Sequence, residues 1–168
     1  MKLHKITTLK DVEIVKSFFY QIFPEENKYD LIHFEQSITK QHNFKRLEYY
    51  LGYENDTIVG ISGVYADNND ECWLGWFGIR PEYRRKGYAS AMLNLQLEIM
   101  KNYGYEICRL YTSEIINNKA VKLYEKIGFK KDSDYENHII TMSKQLKDGI
   151  HIPKWKGIPL GFVPESSI

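Results

Sequence analysis

The run Ile79-Arg80-Pro81-Glu82-Tyr83-Arg84-Arg85-Lys86-Gly87-Tyr88-Ala89-Ser90 decides how the rest of this sequence is read. An apolar segment leads into it, a basic turn with a single glycine sits at its centre, and a long amphipathic segment leaves it. The start of a helix carries backbone N–H groups without intrahelical partners, together with the positive end of the helix dipole. Arg84, Arg85 and Lys86 just before such a start make an anion seat that suits a diphosphate. Gly87 suits it too, because no Cβ keeps a bulky anion away from the backbone. Taken alone, the same residues also describe a basic surface turn that caps a helix.

The surroundings limit what such a seat serves. The formal net charge of +1 over 168 residues gives no global attraction to nucleic acid or to acidic membranes, so anion binding has to be local. A hydrophobic fraction of 43% and a charged fraction of 27% are those of an ordinary globular chain, long enough to bury one real core. Two cysteines, Cys72 and Cys108, are too few for a disulfide framework and read as buried free thiols. Met1 to Ile6 has no apolar core of signal-peptide length, and no apolar run approaches membrane-spanning length, so a cytoplasmic location is expected.

Upstream of the basic turn the hydrophobic period changes twice. After a β-prone Leu3 to Thr8, Thr8 is placed to cap a helix carrying Val12, Val15, Phe18, Phe19 and Ile22, which Pro24 ends. A weaker helical pattern covers residues 29 to 41. From Arg46 the repeat becomes two residues: Leu47, Tyr49, Leu51 and Tyr53 alternate with Glu48, Tyr50, Gly52 and Glu54. Thr57 to Tyr65 and Cys72 to Ile79 follow across short polar turns, which predicts an antiparallel meander whose last strand is central and buried on both faces. Gly75 and Gly78 within that strand mark either a bulge or close backbone approach, or relief of crowding beside Trp73, Trp76 and Phe77.

Downstream, residues 87 to 103 read as a helix packed on the sheet and stopped by Gly104. Ile107 to Thr112 is strand-like. Asn117 or Asn118 can cap a second helix, with Ala120, Val121, Leu123, Tyr124 and Ile127 and a stop at Gly128. His138 to Met142 is expected to be the last strand. Residues 1–146 thus form one α/β (α+β) domain, with a mixed, mostly antiparallel sheet flanked by helices. Residues 147–168 form an irregular Pro- and Gly-containing extension, expected to lie on the domain or on a partner subunit, where it could make a homodimer contact.

Two blocks in order resemble the Gcn5-related N-acetyltransferase (GNAT) family. Arg84-Arg85-Lys86-Gly87-Tyr88-Ala89 is similar to its Arg/Gln-x-x-Gly-x-Gly/Ala signature, and Asn117-Asn118-Lys119-Ala120-Val121-Lys122-Leu123-Tyr124-Glu125-Lys126-Ile127-Gly128-Phe129 to its second block. The resemblance spans about residues 3–146. It implies acetyl-CoA as cosubstrate, with backbone amides across Arg85, Lys86, Gly87, Tyr88, Ala89 and Ser90 holding the diphosphate, and Arg85 and Lys86 neutralising it. It further implies that Phe77, Gly78 and Ile79 pair with the pantetheine arm as a missing strand would. Asn117 would contact that arm, and Tyr124 would protonate the departing thiolate.

The acceptor implied is a primary amine on a small molecule or peptide. Some relatives place a glutamate where this chain has Trp73, which leaves Glu71, Glu114 or water as the base. The 23 to 34 segment would wall the acceptor pocket, with Glu25 and Glu26 attracting the amine and Tyr20, Phe23 and Tyr29 lining it. Neither the five histidines nor the cysteines have metal-ligand spacing, so no metal is expected. The rival readings are a CoA-binding sensor or scaffold without turnover and, disfavoured by the near-neutral charge, a nucleotide or nucleic-acid binder.

Overall fold

The computed structural model describes residues 1–134 and 138–154. In chain order these are β1 (Lys2–Lys5), α1 (Leu9–Ile22), α2 (Ile32–Thr39), β2 (Arg46–Glu54), β3 (Thr57–Ala66), β4 (Glu71–Ile79), α3 (Tyr88–Asn102), β5 (Ile107–Ser113), α4 (Asn118–Ile127), β6 (Lys130–Asp134) and β7 (Ile139–Gln145). Seven strands form one sheet in the order β1-β2-β3-β4-β5-β7-β6. Among the described residues only β4 and β5 are parallel neighbours, and the other pairings are antiparallel. The mixed, mostly antiparallel architecture expected from the sequence is the one observed.

Both faces of the sheet are covered. On one, α3 sets Met92, Leu93, Leu97 and Met100 against Val64, Leu74, Phe77 and Ile79, and α4 adds Ala120 and Tyr124. On the other, α1 and α2 press Val15, Phe19, Ile22 and Phe34 onto Tyr49, Ile61, Tyr65, Trp73 and Trp76. Thr8 caps α1 in a reciprocal box with Asp11, worth about 1 kcal/mol. Each buried apolar side chain contributes about 1.5–3 kcal/mol, so packing rather than capping holds α1 in place.

The boundaries differ from expectation for local reasons. β1 stops at Lys5 because the Thr7 and Thr8 amides turn to the Asp11 carboxylate, both at 3.0 Å. The sequence Lys130-Lys131-Asp132-Ser133-Asp134 carries no apolar alternation, yet it forms β6 at the sheet edge, where charged residues blunt further pairing. β7 runs on to Gln145 because it pairs β5 along that strand's whole length.

Of the extension from 147, residues 155–168 lie outside the described residues. Residues 151–154 cross the sheet and are tied down by charge. Arg109 donates to Glu71 at 2.7 Å, to Ser143 at 2.8 Å and to the Ile152 carbonyl at 2.8 Å. His151 Nε2 lies 2.7 Å from Asp132, and Lys154 Nζ lies 3.1 Å from the other Glu71 oxygen. Among the described residues no helix is long and apolar enough to cross a membrane.

Candidate active site

β4 and β5 pair over only three positions, Glu71 with Ile107, Cys72 with Cys108 and Trp73 with Arg109. Beyond Trp73, β4 continues to Ile79 with no register partner on β5, while β5 stays paired to β7. The sheet therefore opens into a gap between its two central strands. One edge of that gap presents the β4 backbone at Phe77, Gly78 and Ile79, an edge of the kind an extended ligand can complete.

A bulge aims the side chains around the gap. Ile61 pairs with Gly78 and Gly63 with Gly75, so Ser62 alone faces both Trp76 and Phe77. Trp76 has φ +39°, an uncommon value for a bulky residue. The extra residue breaks the two-residue alternation. Trp73 and Trp76 both enter the α1/α2 core, whereas Leu74 and Phe77 both enter the α3/α4 core. The bulge lies directly between Gly75 and Gly78, and the β3 backbone comes close on that side: a Cβ on Gly60 would sit 2.4 Å from the Gly78 carbonyl oxygen, and one on Gly63 2.9 Å from that of Gly75.

Phe77 then meets Tyr124 of α4, with ring centroids 6.3 Å apart and both rings fully buried. Phe129 packs on the other side of Tyr124 at 5.7 Å. Tyr124 is reached from β4 through one side chain, which places α4 against the bulged strand.

The basic turn lies just past the end of β4. Arg85 has φ +62° and Gly87 φ +83°, and α3 starts at Tyr88 with no side chain capping its first amides. Among the described residues no side chain occupies the first N–H groups of α3. The three basic residues have separate roles. Arg84 folds inward and donates to the Ile79 carbonyl at 2.9 Å and the Ile22 carbonyl at 3.5 Å, joining the end of α1 to the end of β4. Burial holds its pKa below the usual guanidinium value. Lys86 turns away, donating to the Glu82 carbonyl at 3.0 Å beside the Tyr83 ring. Arg85, which makes no such bond to the described backbone, joins Arg84 in lining a cavity of about 280 Å³ with Ile79, Gly87, Ala89 and Ser90.

The opposite wall of that cavity is α4, through Lys119, Leu123 and Lys126. The sequence reading omitted them, although their spacing of four and three residues marks a single helix face. An adjoining cavity of about 380 Å³ is lined by Arg84, Ile115, Ile116 and Asn117. Asn117 is the N-cap of α4 by position, but its side chain makes no capping bond. A larger cavity of about 580 Å³, between His33, His42, Phe44 and Asp67, shares no lining residue with either.

The two candidate bases are both held in ion pairs. Burial pushes the Glu71 carboxyl up, but bonds from Arg109 and Lys154 outweigh it and leave the pKa below the ordinary carboxylate value. Glu114 pairs with Lys131 at 2.8 Å. On the expected acceptor wall, Tyr20 and Tyr29 are exposed, whereas Phe23 is buried against Phe19 and Trp76 in the core. Among the described residues no group of His, Cys, Asp and Glu is placed to hold a metal ion.

A family model described as "Acetyltransferase (GNAT) family" matches residues 12–129, most of the chain and both blocks around the gap. The chain belongs to the GNAT acetyltransferase family. Among curated proteins it is similar to N-alpha-acetyltransferase 30 of Schizosaccharomyces pombe, 29% identical over 84 residues, or 48% of this chain and 55% of that protein. The match thus spans about half the length of that relative. The fold is shared with the ribosomal-protein-S18-alanine N-acetyltransferase of Escherichia coli, with a TM-score of 0.67 at 16% identity over 96% of this chain and 100% of that one. It is also shared with the PaiA N-acetyltransferase of Thermoplasma acidophilum, solved in complex with coenzyme A, with a TM-score of 0.62 at 19% identity over 86% and 99% of the two chains.

Proposed function

We propose that this GNAT chain transfers the acetyl group of acetyl-CoA to a primary amine by direct attack. The observation that carries the proposal is the gap between β4 and β5, which runs from the Trp73–Arg109 pair to the uncapped start of α3. The amides from Arg85 to Ser90 hold the diphosphate, and Arg85 adds charge. Lys86, bonded to the Glu82 carbonyl, contributes through its amide. The β4 backbone at Phe77, Gly78 and Ile79 pairs with the amides of the pantetheine arm, and Asn117 meets the same arm from α4.

The chemistry asks three things of the chain. Backbone N–H groups of β4 polarise the thioester carbonyl and stabilise the oxyanion formed when the amine attacks carbon. As the C–S bond breaks, Tyr124 gives its phenolic proton to the thiolate. The proton lost by the amine leaves through ordered water and restores the phenol, since Glu71 and Glu114 are engaged by cations. The products are the acetamide and free CoA thiol.

The acceptor is an amine on a small molecule or peptide. The names of the fission-yeast and Escherichia coli relatives put peptide α-amines first among those to test. The ion pairing of both candidate bases favours one further reading, a CoA-binding module without turnover. Thermal shift with acetyl-CoA, then thiol release across peptide and small-molecule amines, separates the two. Acetyl-CoA should raise Tm, and at least one amine should release thiol. Stabilisation with no release from any amine selects the silent module, and absence of stabilisation removes both readings.

A further inference from the structure

The fold sets the chain's two cysteines side by side at the foot of the gap. Cys72 and Cys108 are register partners in the middle one of the three pairs that join β4 to β5. Both side chains enter the α3/α4 core, and neither is exposed. Aligned positions on neighbouring strands lie about 4.8 Å apart, within the Cα separation of about 4.4–6.8 Å that a disulfide spans. Both are free thiols, Cys72 Sγ donating to the Ile107 carbonyl and Cys108 Sγ to the Arg109 carbonyl, each at 3.7 Å. Burial pushes the Cys72 thiol up, and the Cys108 thiol beside it pushes it further, so the closed sheet keeps Cys72 protonated and inert. The transfer reaction uses neither sulfur. One pair further on, at Trp73 and Arg109, the strands part.

We infer that Cys72 and Cys108 form a reversible disulfide when the chain meets hydrogen peroxide, and that this bond weakens the hold of the gap on its donor. The second half rests on the acetyl-CoA reading above. Reaction begins when the strand contact opens locally, and a junction of three pairs opens at lower cost than the seven pairs that join β5 to β7. One thiolate attacks the peroxide O–O bond and becomes a sulfenic acid, and the hydroxide released takes up a proton to give water. The other thiolate attacks that sulfur, the S–OH bond breaks, and a second water leaves. Two thiols thus lose two hydrogens and two electrons, and the peroxide is reduced to two waters. The bond draws the Cβ atoms to about 3.8 Å, closer than strand spacing leaves them. It therefore pulls β4 and β5 together just below the point where a pantetheine arm has to lie between them. Coupling is reciprocal, so bound acetyl-CoA slows the oxidation.

Mass spectrometry of the full chain after hydrogen peroxide, with free thiols alkylated on denaturation, should show no alkylated cysteine and a peptide that joins Cys72 to Cys108. Calorimetry should find acetyl-CoA bound about fivefold or more weakly by the oxidised chain than by the reduced one. Dithiothreitol should restore the affinity, which oxidised methionine would not allow. Saturation with acetyl-CoA beforehand should slow the crosslink by a comparable factor. Cys108→Ala, which cannot form the bond, should keep its affinity through the same treatment. Two alkylated cysteines in a peroxide-treated chain that stays folded by circular dichroism overturn the inference. A crosslink that leaves acetyl-CoA affinity unchanged, or an equal loss in Cys108→Ala, overturns the control of the gap and leaves the donor reading standing. A reduced chain that binds no acetyl-CoA removes the donor reading and this inference with it.

Discussion

Phe77 and Tyr124 stand ring to ring across the boundary between β4 and α4, centroids 6.3 Å apart and neither exposed to solvent. The contact exists because the Trp76 bulge turns Phe77 toward α4 instead of toward α1. Tyr124→Phe keeps this ring packing and removes only the hydroxyl. If the phenol supplies the proton to the departing thiolate, kcat falls by about 10²-fold or more while acetyl-CoA affinity holds. Single-turnover thiol release and calorimetry measure the two quantities separately. An unchanged kcat would assign the proton to another donor.

The strand that borders the gap is fixed in place by a glycine on its neighbour. A Cβ at Gly60 would lie 2.4 Å from the Gly78 carbonyl oxygen and 2.9 Å from Ile79 Cδ1. Gly60→Ala should therefore destabilise the fold by about 1–3 kcal/mol through overpacking. It should also weaken acetyl-CoA binding, because the displaced backbone borders the gap. Gly87→Ala is a useful contrast. Nothing lies within 4 Å of that position, so its cost is the strain of φ +83°, about 1–2 kcal/mol, taken at the seat itself. Denaturant midpoints and donor affinities of the two variants test the assignment, which fails if Gly60→Ala is as stable as wild type.

Much of this arrangement is legible in the chain, and the reasons for the rest are physical. Periodicity reveals β2, β3 and β4 because each alternates or runs apolar against a buried neighbour, and Gly104 and Gly128 mark helix stops because both take positive φ. β6 is not legible, since an edge strand paired on one side only needs no apolar alternation. At the site, Gly87 and Arg85 follow from their motif. The departure of Lys86 toward Glu82 and the inward turn of Arg84 depend on which carbonyls the tertiary fold brings near. Gly75 and Gly78 offer a bulge as one reading, but which side chains it re-aims is hidden, because a bulge changes which face a residue meets without changing residue type.

Glu71 gives the fold a pH dependence whose sign is set by its cations. Bonds from Arg109 and Lys154 hold its folded pKa below the unfolded value, despite burial acting the other way. Its contribution is present above the ordinary glutamate pKa of about 4.3 and is lost as pH falls from there through the folded value. Wild type should therefore be more stable than Glu71→Gln at pH 7, and the two should converge in acid. Urea unfolding of both at pH 7 and at about pH 3 measures the difference. A gap of the same size at both values would mean that Glu71 acts through packing rather than charge.

Arg109 joins the parallel contact between β4 and β5 to the segment that follows β7. Its side chain is 5% exposed and donates to Glu71, Ser143 and the Ile152 carbonyl, while Asp132, fully buried, lies 3.7 Å away. Arg109→Met removes the cation and leaves two carboxylates short of a partner, at a cost of about 3–5 kcal/mol. Arg109→Lys keeps the charge but loses the planar fork that reaches several acceptors at once, so it should fall between the two. Hydrogen exchange supplies a second, local readout. Amides of His151 and Ile152 should exchange faster in Arg109→Lys than in wild type under conditions where the strands remain protected, because the Ile152 carbonyl has lost its donor. Acetyl-CoA affinity should fall in parallel, since Arg109 lies in the last β4–β5 pair before the gap opens. Unchanged exchange at His151 and Ile152 would show that this crossing is held without the Arg109 bond, through contacts such as Lys154–Glu71, His151–Asp132 and Thr141 to the Lys154 carbonyl.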